Sequence, residues 1–571
     1  MPALVSASFF PCITTSRPAQ GFFPVDSAAN AIVSLRPMKG KSAIGSQPCE
    51  RGSSMRIGTV WLCSLLALSL LAIGCSKECK PGQDLECWIG ALKNPEQVSK
   101  AIDNIKQIND PKAAPALIDV FAASAEEPET RERLAEMFRK WKVKEAIKPM
   151  IDALDFTVGP SKDGKKAKRT NRANQKIASA LGALGDASAV QPLMRLLKAT
   201  KEPDVQRAAI RALGKLRAKE VVDDLIRMTE DTTVLPVIRL NAIYALGEIG
   251  DAKAVPSLVM GLYREKAYYF AQARLALVKI GEPAVDLLVK TMNGENPDAK
   301  KLTEGNVEIL AGALEANAAL VLGDIGSPLA VEPLLKMIDK VAKWEEETNR
   351  ILVQTRLFAA LGNIGDARGI KAIMSYLDKE PDEKYWDVRL ICATALNTIS
   401  DRSVIADIWK LLDKGGHPRA RAPLIELIGN LATDEALPKL KDLQAKEKDV
   451  TLQPVIADAI KKIEAFGRCK QDAACWQGLL DGKETSLRER AIYEIGRIGD
   501  AGSVDGLLKY IGDESENVRF ALMFAFDKIK SRKVVEPLEQ LVEKEKGSAR
   551  FNVANFNYQL VNARLHRTAT R

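Results

Sequence analysis

The apolar and polar positions of this chain follow one pattern, written many times over. Ala245-Leu-Gly-Glu-Ile-Gly-Asp-Ala-Lys-Ala-Val and Ala360-Leu-Gly-Asn-Ile-Gly-Asp-Ala-Arg-Gly-Ile are two copies. Ala180-Leu-Gly-Ala-Leu-Gly-Asp-Ala-Ser-Ala-Val and Glu494-Ile-Gly-Arg-Ile-Gly-Asp-Ala-Gly-Ser-Val are two more. Weaker copies centre on Leu213-Gly214, Leu322-Gly323, Leu396-Asn397, Ile428-Gly429 and Phe526-Asp527, and the segment Ile105 to Pro111 belongs with them. An apolar residue recurs at a fixed place after each turn: Leu117, Ile151, Leu193, Leu225, Leu258, Leu288, Leu334, Ile373, Ile408, Leu440, Leu507 and Leu538. Most spacings are 30 to 46 residues, with one of 67 between Leu440 and Leu507. A period of this length marks stacked repeats.

Each copy predicts two helices joined by a tight turn. Gly185, Gly250, Gly365 and Gly499 suit the left-handed residue that ends a helix. Asp186, Asp251, Asp366 and Asp500 suit the N-cap of the next helix, where a carboxylate accepts from an orphaned backbone N–H. Pro115, Pro256 and Pro333 fall early in that next helix, where a missing N–H costs little. The earlier glycine of Leu-Gly-x-Ile-Gly sits inside a helix, where it costs about 1 kcal/mol relative to Ala. Its recurrence implies close approach of neighbouring helices. One hairpin cannot bury its own apolar face, so the copies must stack on a continuous core. The expected fold is all-α, an α-solenoid of about 12 helical hairpins.

The pattern resembles the HEAT-repeat family, in particular the short HEAT-like repeats first associated with phycobilisome lyases. The resemblance spans residues 98–560 and is specific for architecture while nearly silent on activity. It implies a protein-binding scaffold, with a bilin-lyase-like or other cofactor-attachment enzyme as the rival. An Arg or Gln recurs seven positions before the turn leucine or its equivalent: Arg131, Gln206, Arg239, Arg389, Arg488 and Arg519. In similar repeats this residue pairs with turn acids or carbonyls of the neighbouring unit. A stripe facing a ligand is the alternative.

The beginning of the chain does not share the pattern. Residues 1–54 are rich in Ser, Pro, Ala and Gly, hold only Asp26 and Glu50 as acids, and read as a non-native or disordered extension if Met55 is the true start. Residues 55–74 carry a positive charge at Arg56, then an uncharged run from Ile57 to Ile73, as in a secretory signal peptide. The ending Leu71-Ala72-Ile73-Gly74-Cys75 resembles a bacterial lipobox, in which the cysteine is acylated and becomes the new N-terminus. Ala72 stands where Leu is more usual. A plain membrane-anchor helix, an organelle transit peptide, or an intracellular scaffold with a misread N-terminus are the competing readings. Under the lipoprotein reading Ser76 follows the lipid cysteine, which points toward an outer membrane, facing the periplasm or the surface.

Beyond Cys75 stand Cys79, Cys87, Cys392, Cys469 and Cys475. Cys79-Lys…Cys87-Trp88 is echoed by Cys469-Lys…Cys475-Trp476, each opening a fresh run of repeats. This divides the chain into a cap at 75–97, an array at 98–466 and a second Cys-capped array with its tail at 467–571. Local bridges Cys79–Cys87 and Cys469–Cys475 fit an oxidising compartment, although four cysteines allow three pairings. Metal or redox chemistry is the rival, but neither phrase has C-x-x-C spacing. Cys392 lies on an apolar helical face and reads as a core residue.

Composition narrows the chemistry. Of 571 residues 46% are hydrophobic but only 5% aromatic, a profile of aliphatic helix packing. The two histidines, His417 and His566, leave no multi-histidine metal centre and little room for acid–base catalysis. The formal charge of +9 falls to +5 without residues 1–74, which hold six positive and two negative residues. That near balance argues against nucleic acid as a partner. The most basic stretch, Gly164 to Arg172, reads as a solvated loop in a long insertion or as a contact to an acidic surface. Tyr268-Tyr269-Phe270 reads as packing between repeats. No phosphate loop, nucleophile elbow or H-E-x-x-H is present. The expectations are no catalytic residues, no cofactor, no metal and no small-molecule substrate. The expected partners are protein, with the membrane reached through a lipid on Cys75.

Overall fold

The computed structural model describes residues 79–157, 164–264, 267–304, 311–379, 385–544 and 554–568. The extension, the signal segment and Cys75 lie outside them. The described residues form 29 α-helices and short 3-10 links, with no strand among them. They fall into two compact units, up to Leu117 and from Ile118 onward, divided within helix Ala114–Ala123. No described helix is long and apolar enough to cross a membrane.

The recurring unit is a long first helix, a three-residue 3-10 link and a shorter second helix. Twelve such links occur among the described residues, from Pro111–Ala113 to Arg532–Val534. Pro236–Ile249, Ala252–Ala254 and Val255–Met260 show the local causes. Gly250 closes the first helix at φ +75°, where its N–H donates to the Leu246 carbonyl (3.1 Å). Asp251 then accepts from the Lys253 N–H (2.9 Å), turning the chain into the second helix. Gly185 with Asp186, Gly365 with Asp366 and Gly499 with Asp500 do the same. Where the glycine is missing, Asn109, Lys142, Ser400 and Lys530 take the left-handed conformation themselves.

Eleven of the twelve register residues from Leu117 to Leu538 are buried. Ile151 is only half-buried, and Met150 holds the interior place instead. The cause is the turn residue: Lys142 is the left-handed one, eight places before Met150, as Gly250 is eight before Leu258. The register at this repeat is therefore one residue earlier than the sequence pattern suggested.

The first helices stack on one another through small residues. A Cβ placed on Gly182 would lie 2.5 Å from Ala212 Cα, and one on Gly323 2.5 Å from Ala360 Cα. Gly214 meets Ala245, Gly247 meets Ala276, Gly362 meets Ala395, Gly429 meets Ala459 and Gly496 meets Ala525 in the same way. The helix-interior glycines thus mark one seam that runs from repeat to repeat.

One expectation changes: Lys165 to Arg172 is the start of helix Lys165–Leu184, so the basic stretch is helical and not a loop. Helix Gln453–Cys469 spans residues 466 and 467.

Candidate interaction surface

The Arg and Gln positions at the start of the first helices all reach backbone carbonyls. Arg239 donates through Nε and Nη2 to the Thr229 carbonyl (3.3 and 3.2 Å), and Gln206 Nε2 donates to that of Thr200 (3.1 Å). Arg389 Nη1 donates to the Leu377 carbonyl (2.9 Å) and its Nε to that of Ala420 (3.3 Å). Arg488 Nη1 donates to the Gly482 carbonyl (2.9 Å) and pairs with Asp513, while Arg519 serves the carbonyls of Asp513 and Glu514. Arg131 Nη1 reaches the Ala153 carbonyl at 3.4 Å. Most of these acceptors close the preceding second helix or its loop and tie a first helix to the hairpin before it; Arg131 instead reaches the end of the second helix of its own hairpin. Arg421 occupies the same register and pairs with Glu447 at 2.7 Å. Its turn, Ala432-Thr433-Asp434, lacks the glycine that would have marked it.

Along helices Pro128–Trp141 and Lys165–Leu184 runs a charge zipper that begins at Glu126, just before the first of them. Lys166 pairs with Glu126 (2.7 Å), Arg169 with Glu129 (2.5 Å), Arg172 with Glu132 (2.9 Å) and Lys176 with Glu136 (3.4 Å). Every pair is 40 residues apart in sequence. The pairs are largely exposed, so solvent and salt screen them and they add little to stability. They pair Lys166, Arg169 and Arg172, three of the five cations of the basic stretch, and leave a mixed-charge stripe open to solvent. Asp204, Arg207, Arg211 and Lys215 extend it along helix Pro203–Lys215.

Over the middle repeats the ends of the first helices are covered by the chain itself. Helix Thr485–Ile498 sends Arg490 to the carbonyls of Gly429 (2.6 Å) and Ala432 (3.0 Å), and Arg497 to that of Asn430 (2.9 Å). The final helix, Ala554–Thr568, sends Arg564 to the carbonyls of Asp324 (2.7 Å) and Gly323 (3.0 Å), and Arg567 to that of Ile325 (2.8 Å). These carbonyls end helices Ala313–Ile325 and Pro418–Leu431, where the last four lack intrahelical partners and carry the negative end of the helix dipole. Guanidinium groups answer both needs. Glu494 anchors the cluster, fully buried against Arg490 (2.9 Å), Arg497 (2.7 Å) and Arg402 (2.9 Å). Burial alone would raise its carboxyl; the three guanidiniums hold it below the usual carboxylate range. His566 meets Glu248 at 3.1 Å and Arg217 at 3.2 Å at the far end of the same contact.

A cavity of about 260 Å³ remains between the middle repeats and these returning helices. Its walls come from helices Glu347–Ile364, Trp386–Ile399 and Pro418–Leu431 on one side, and Thr485–Ile498, Glu516–Ile529 and Ala554–Thr568 on the other. Apolar side chains such as Leu427 and Met523 alternate with Thr394, Glu426 and Asn363.

Both cysteine phrases form local bridges, Cys79–Cys87 and Cys469–Cys475, with Cα atoms 5.6 and 5.3 Å apart. Each is followed by a buried tryptophan whose Nε1 donates to the carbonyl beside the first cysteine, Trp88 to Lys80 (3.0 Å) and Trp476 to Lys470 (2.9 Å). Cys392 is buried as a free thiol, and burial raises its pKa. Tyr269 is buried and receives the Arg239 guanidinium over its ring at 4.8 Å. No group of three or more His, Cys, Asp or Glu among the described residues could hold a metal ion.

Stacked hairpins, a glycine–alanine seam and carbonyl-binding rungs define an α-solenoid. HEAT repeats match this chain at residues 169–237, 197–277 and 475–555, and those stretches are HEAT repeats. No curated protein matches it in sequence. Among solved structures it is similar to importin beta, at 12% identity and a TM-score of 0.38 over 84% of this chain and 74% of that one. It is also similar to Kap121p, at 16% identity and a TM-score of 0.40 over 83% of this chain. A third is the karyopherin Kap121p bound to the extreme C-terminus of the protein phosphatase Cdc14p, at 15% identity and a TM-score of 0.40 over 83% of this chain. The aligned part is 56% and 55% of those two Kap121p chains.

Proposed function

We propose that this chain is a lipid-anchored scaffold of the bacterial cell envelope that binds another protein along the open charged row from Glu126 to Lys215. The observation that carries the reading is the contrast along that row. The middle repeats are closed by the chain's own arginine-bearing helices, whereas Glu126 to Lys215 presents solvent-facing charges of both signs. A stripe of alternating charge selects a partner by complementary pairing and steers its approach, more than it adds raw affinity. What supports the anchor is the uncharged run Ile57 to Ile73 followed by Gly74-Cys75. Acyl chains on one cysteine would confine the solenoid to a membrane.

Two experiments test the two halves of the reading. Photo-crosslinking residues at Glu129, Arg172 and Arg207 should capture one common protein in intact cells, and residues at Lys253 and Lys439, exposed but off that row, should not. Equal capture from both sets, or from neither, defeats the docking half. Palmitate labelling and fractionation of Cys75→Ser test the other. A variant that stays in the membrane with its lipid label removes the anchor.

A further inference from the structure

The open charged row changes character along its length. Its first helices can be aligned on the left-handed residue that closes each of them, Lys142, Gly185, Arg217 and Gly250. Six places before these stand Glu136, Ser179, Arg211 and Tyr244, and ten places before them Glu132, Gln175, Arg207 and Leu240. All eight are exposed or half-buried. Each level therefore runs from an acid, through an uncharged polar side chain, to an arginine and then to an aromatic or aliphatic one. On the next first helix, Ala267–Ile280, the residue six places before Gly281 is Leu275, which is buried. Arg567 of the final helix lies against that glycine. The open row thus ends at a half-buried strip of Val237, Leu240 and Tyr244, which share one face of helix Pro236–Ile249.

The cations of the row outnumber the acids that meet them. Helices Lys165–Leu184 and Pro203–Lys215 carry nine cations and one acid, Asp204. Lys166, Arg169, Arg172 and Lys176 meet the glutamates of the zipper, and Arg207 meets Asp204 at 3.1 Å. Lys165, Lys168, Arg211 and Lys215 form no ion pair among the described residues, although Glu539 lies near enough to Lys215 to feel its charge. Arg211 stands where the charged and apolar levels meet. Its guanidinium lies over the Tyr244 ring at 4.7 Å, and Nη1 donates to Asn241 Oδ1 at a long 3.5 Å. The ring fixes the guanidinium in place and leaves most of its five N–H groups for another acceptor.

We propose that this row takes an acidic amphipathic segment of a partner protein, with carboxylates on Arg207, Arg211 and Lys215 and apolar side chains on Val237 and Leu240. The inference rests on the protein-docking reading and adds the chemistry of the partner. An arginine fork matches a carboxylate with two parallel hydrogen bonds. The strip beside it gains only from a partner that also brings apolar surface to bury. A nucleic acid or a layer of lipid headgroups carries phosphates across its whole width, and would set them against Glu129, Glu132 and Glu136 as well as against the arginines. A protein segment can confine its acids to one edge.

The test is fluorescence anisotropy on the full chain carrying Cys75→Ser, with a labelled helical peptide that has glutamate on one face and leucine on the other. One counterpart replaces its glutamates by glutamine, a second its leucines by alanine. A labelled single-stranded oligonucleotide, and phosphatidylglycerol vesicles followed by co-sedimentation, are the remaining probes. The parent peptide should bind at least about tenfold more tightly than either counterpart. Arg207→Gln with Arg211→Gln should remove its advantage over the glutamine peptide, and Leu240→Ser its advantage over the alanine peptide. Lys253→Gln with Lys439→Gln, off the row, should change neither. Equal binding of the three peptides overturns the proposal, and so does a preference that survives the paired arginine substitutions. Tighter binding of the vesicles or the oligonucleotide through those arginines overturns it too. In cells, crosslinking from Glu129 and Arg172 separates this inference from the reading beneath it. Capture that is lost with the arginine pair supports both, capture that persists defeats the acidic partner alone, and no capture defeats docking itself.

Discussion

Replacing Gly182 by Ala sets two effects of opposite sign against each other. Gly182 lies inside helix Lys165–Leu184, where Ala is ordinarily favoured by about 1 kcal/mol. Here the new methyl would lie 2.5 Å from Ala212 Cα and 2.6 Å from its Cβ, whereas carbon atoms rest about 3.5–4.0 Å apart. Both atoms belong to a helix backbone or its first side-chain carbon, so no rotamer can move them aside. Helices Lys165–Leu184 and Pro203–Lys215 must separate by roughly 1 Å, an overpacking that costs about 1–3 kcal/mol and leaves gaps on either side. The seam is then destabilised by up to about 2 kcal/mol net, against the direction that propensity predicts. Gly90, inside helix Leu85–Ala91, has nothing within 4 Å of its added Cβ and serves as the control. Urea unfolding followed by circular dichroism, with hydrogen exchange read on the two helices, measures both variants. Gly182→Ala should lower the midpoint and loosen those helices, and Gly90→Ala should hold or raise it. A midpoint for Gly182→Ala at or above that of the parent chain would refute close approach as the reason for the glycine.

Three other outcomes follow from the interior. Glu494→Gln leaves Arg402, Arg490 and Arg497 without their shared buried carboxylate and should cost about 3–5 kcal/mol at neutral pH. The carboxyl is held low in the folded chain, so its contribution is full above the unfolded value near about 4.3. It is lost as pH falls through the folded value, so the parent chain should lose stability on acidification more steeply than the variant, as thermal melts across pH 2–7 would show. Arg564→Ala removes the donors for the Gly323 and Asp324 carbonyls and leaves Asp527 unpaired; it should cost about 2–4 kcal/mol. An increase in dye binding to exposed apolar surface should accompany the lower melting point, with Arg564→Lys intermediate. Cys469→Ser opens a bridge between residues six apart in sequence and should cost about 2 kcal/mol, measured against the oxidised parent and lost as a difference under reductant.

Features that depend on neighbours in sequence were legible, and those that depend on distant repeats were not. Gly250 and Asp251 act within five residues of one another, so their roles follow from turn chemistry alone. The glycine–alanine seam was legible for a related reason: a costly residue repeated at a fixed place needs a cause. Arg490, Arg497 and Arg564, by contrast, look like ordinary surface cations on a helix, and their acceptors lie 58 to 241 residues away in sequence. A weaker signal was present. Helices Ala313–Ile325 and Trp386–Ile399 are apolar on nearly every side, unlike Lys165–Leu184, and a helix apolar all round must be covered all round. The charge zipper hid for the opposite reason. Lys166 to Lys176 reads as a basic run until Glu126 to Glu136 is placed beside it one repeat away.

The covering of the middle repeats also bears on why the second array exists. An array of hairpins alone leaves the C-terminal carbonyls of its first helices facing a solvent groove, where water satisfies them. Once apolar residues such as Leu390, Leu427 and Leu431 surround those ends, water is excluded and each orphaned carbonyl costs about 1–3 kcal/mol unless a donor replaces it. Arginine can do this from a neighbouring helix because its fork serves two carbonyls at once while keeping its charge. Arg490 does so for Gly429 and Ala432, and Arg564 for Gly323 and Asp324. The apolar character of the middle helices and the arginines of the returning ones are therefore one adaptation read at two places in the chain. Removing either one would leave buried carbonyls or guanidiniums without their partners, whereas the row from Glu126 to Lys215 keeps its charges at the surface.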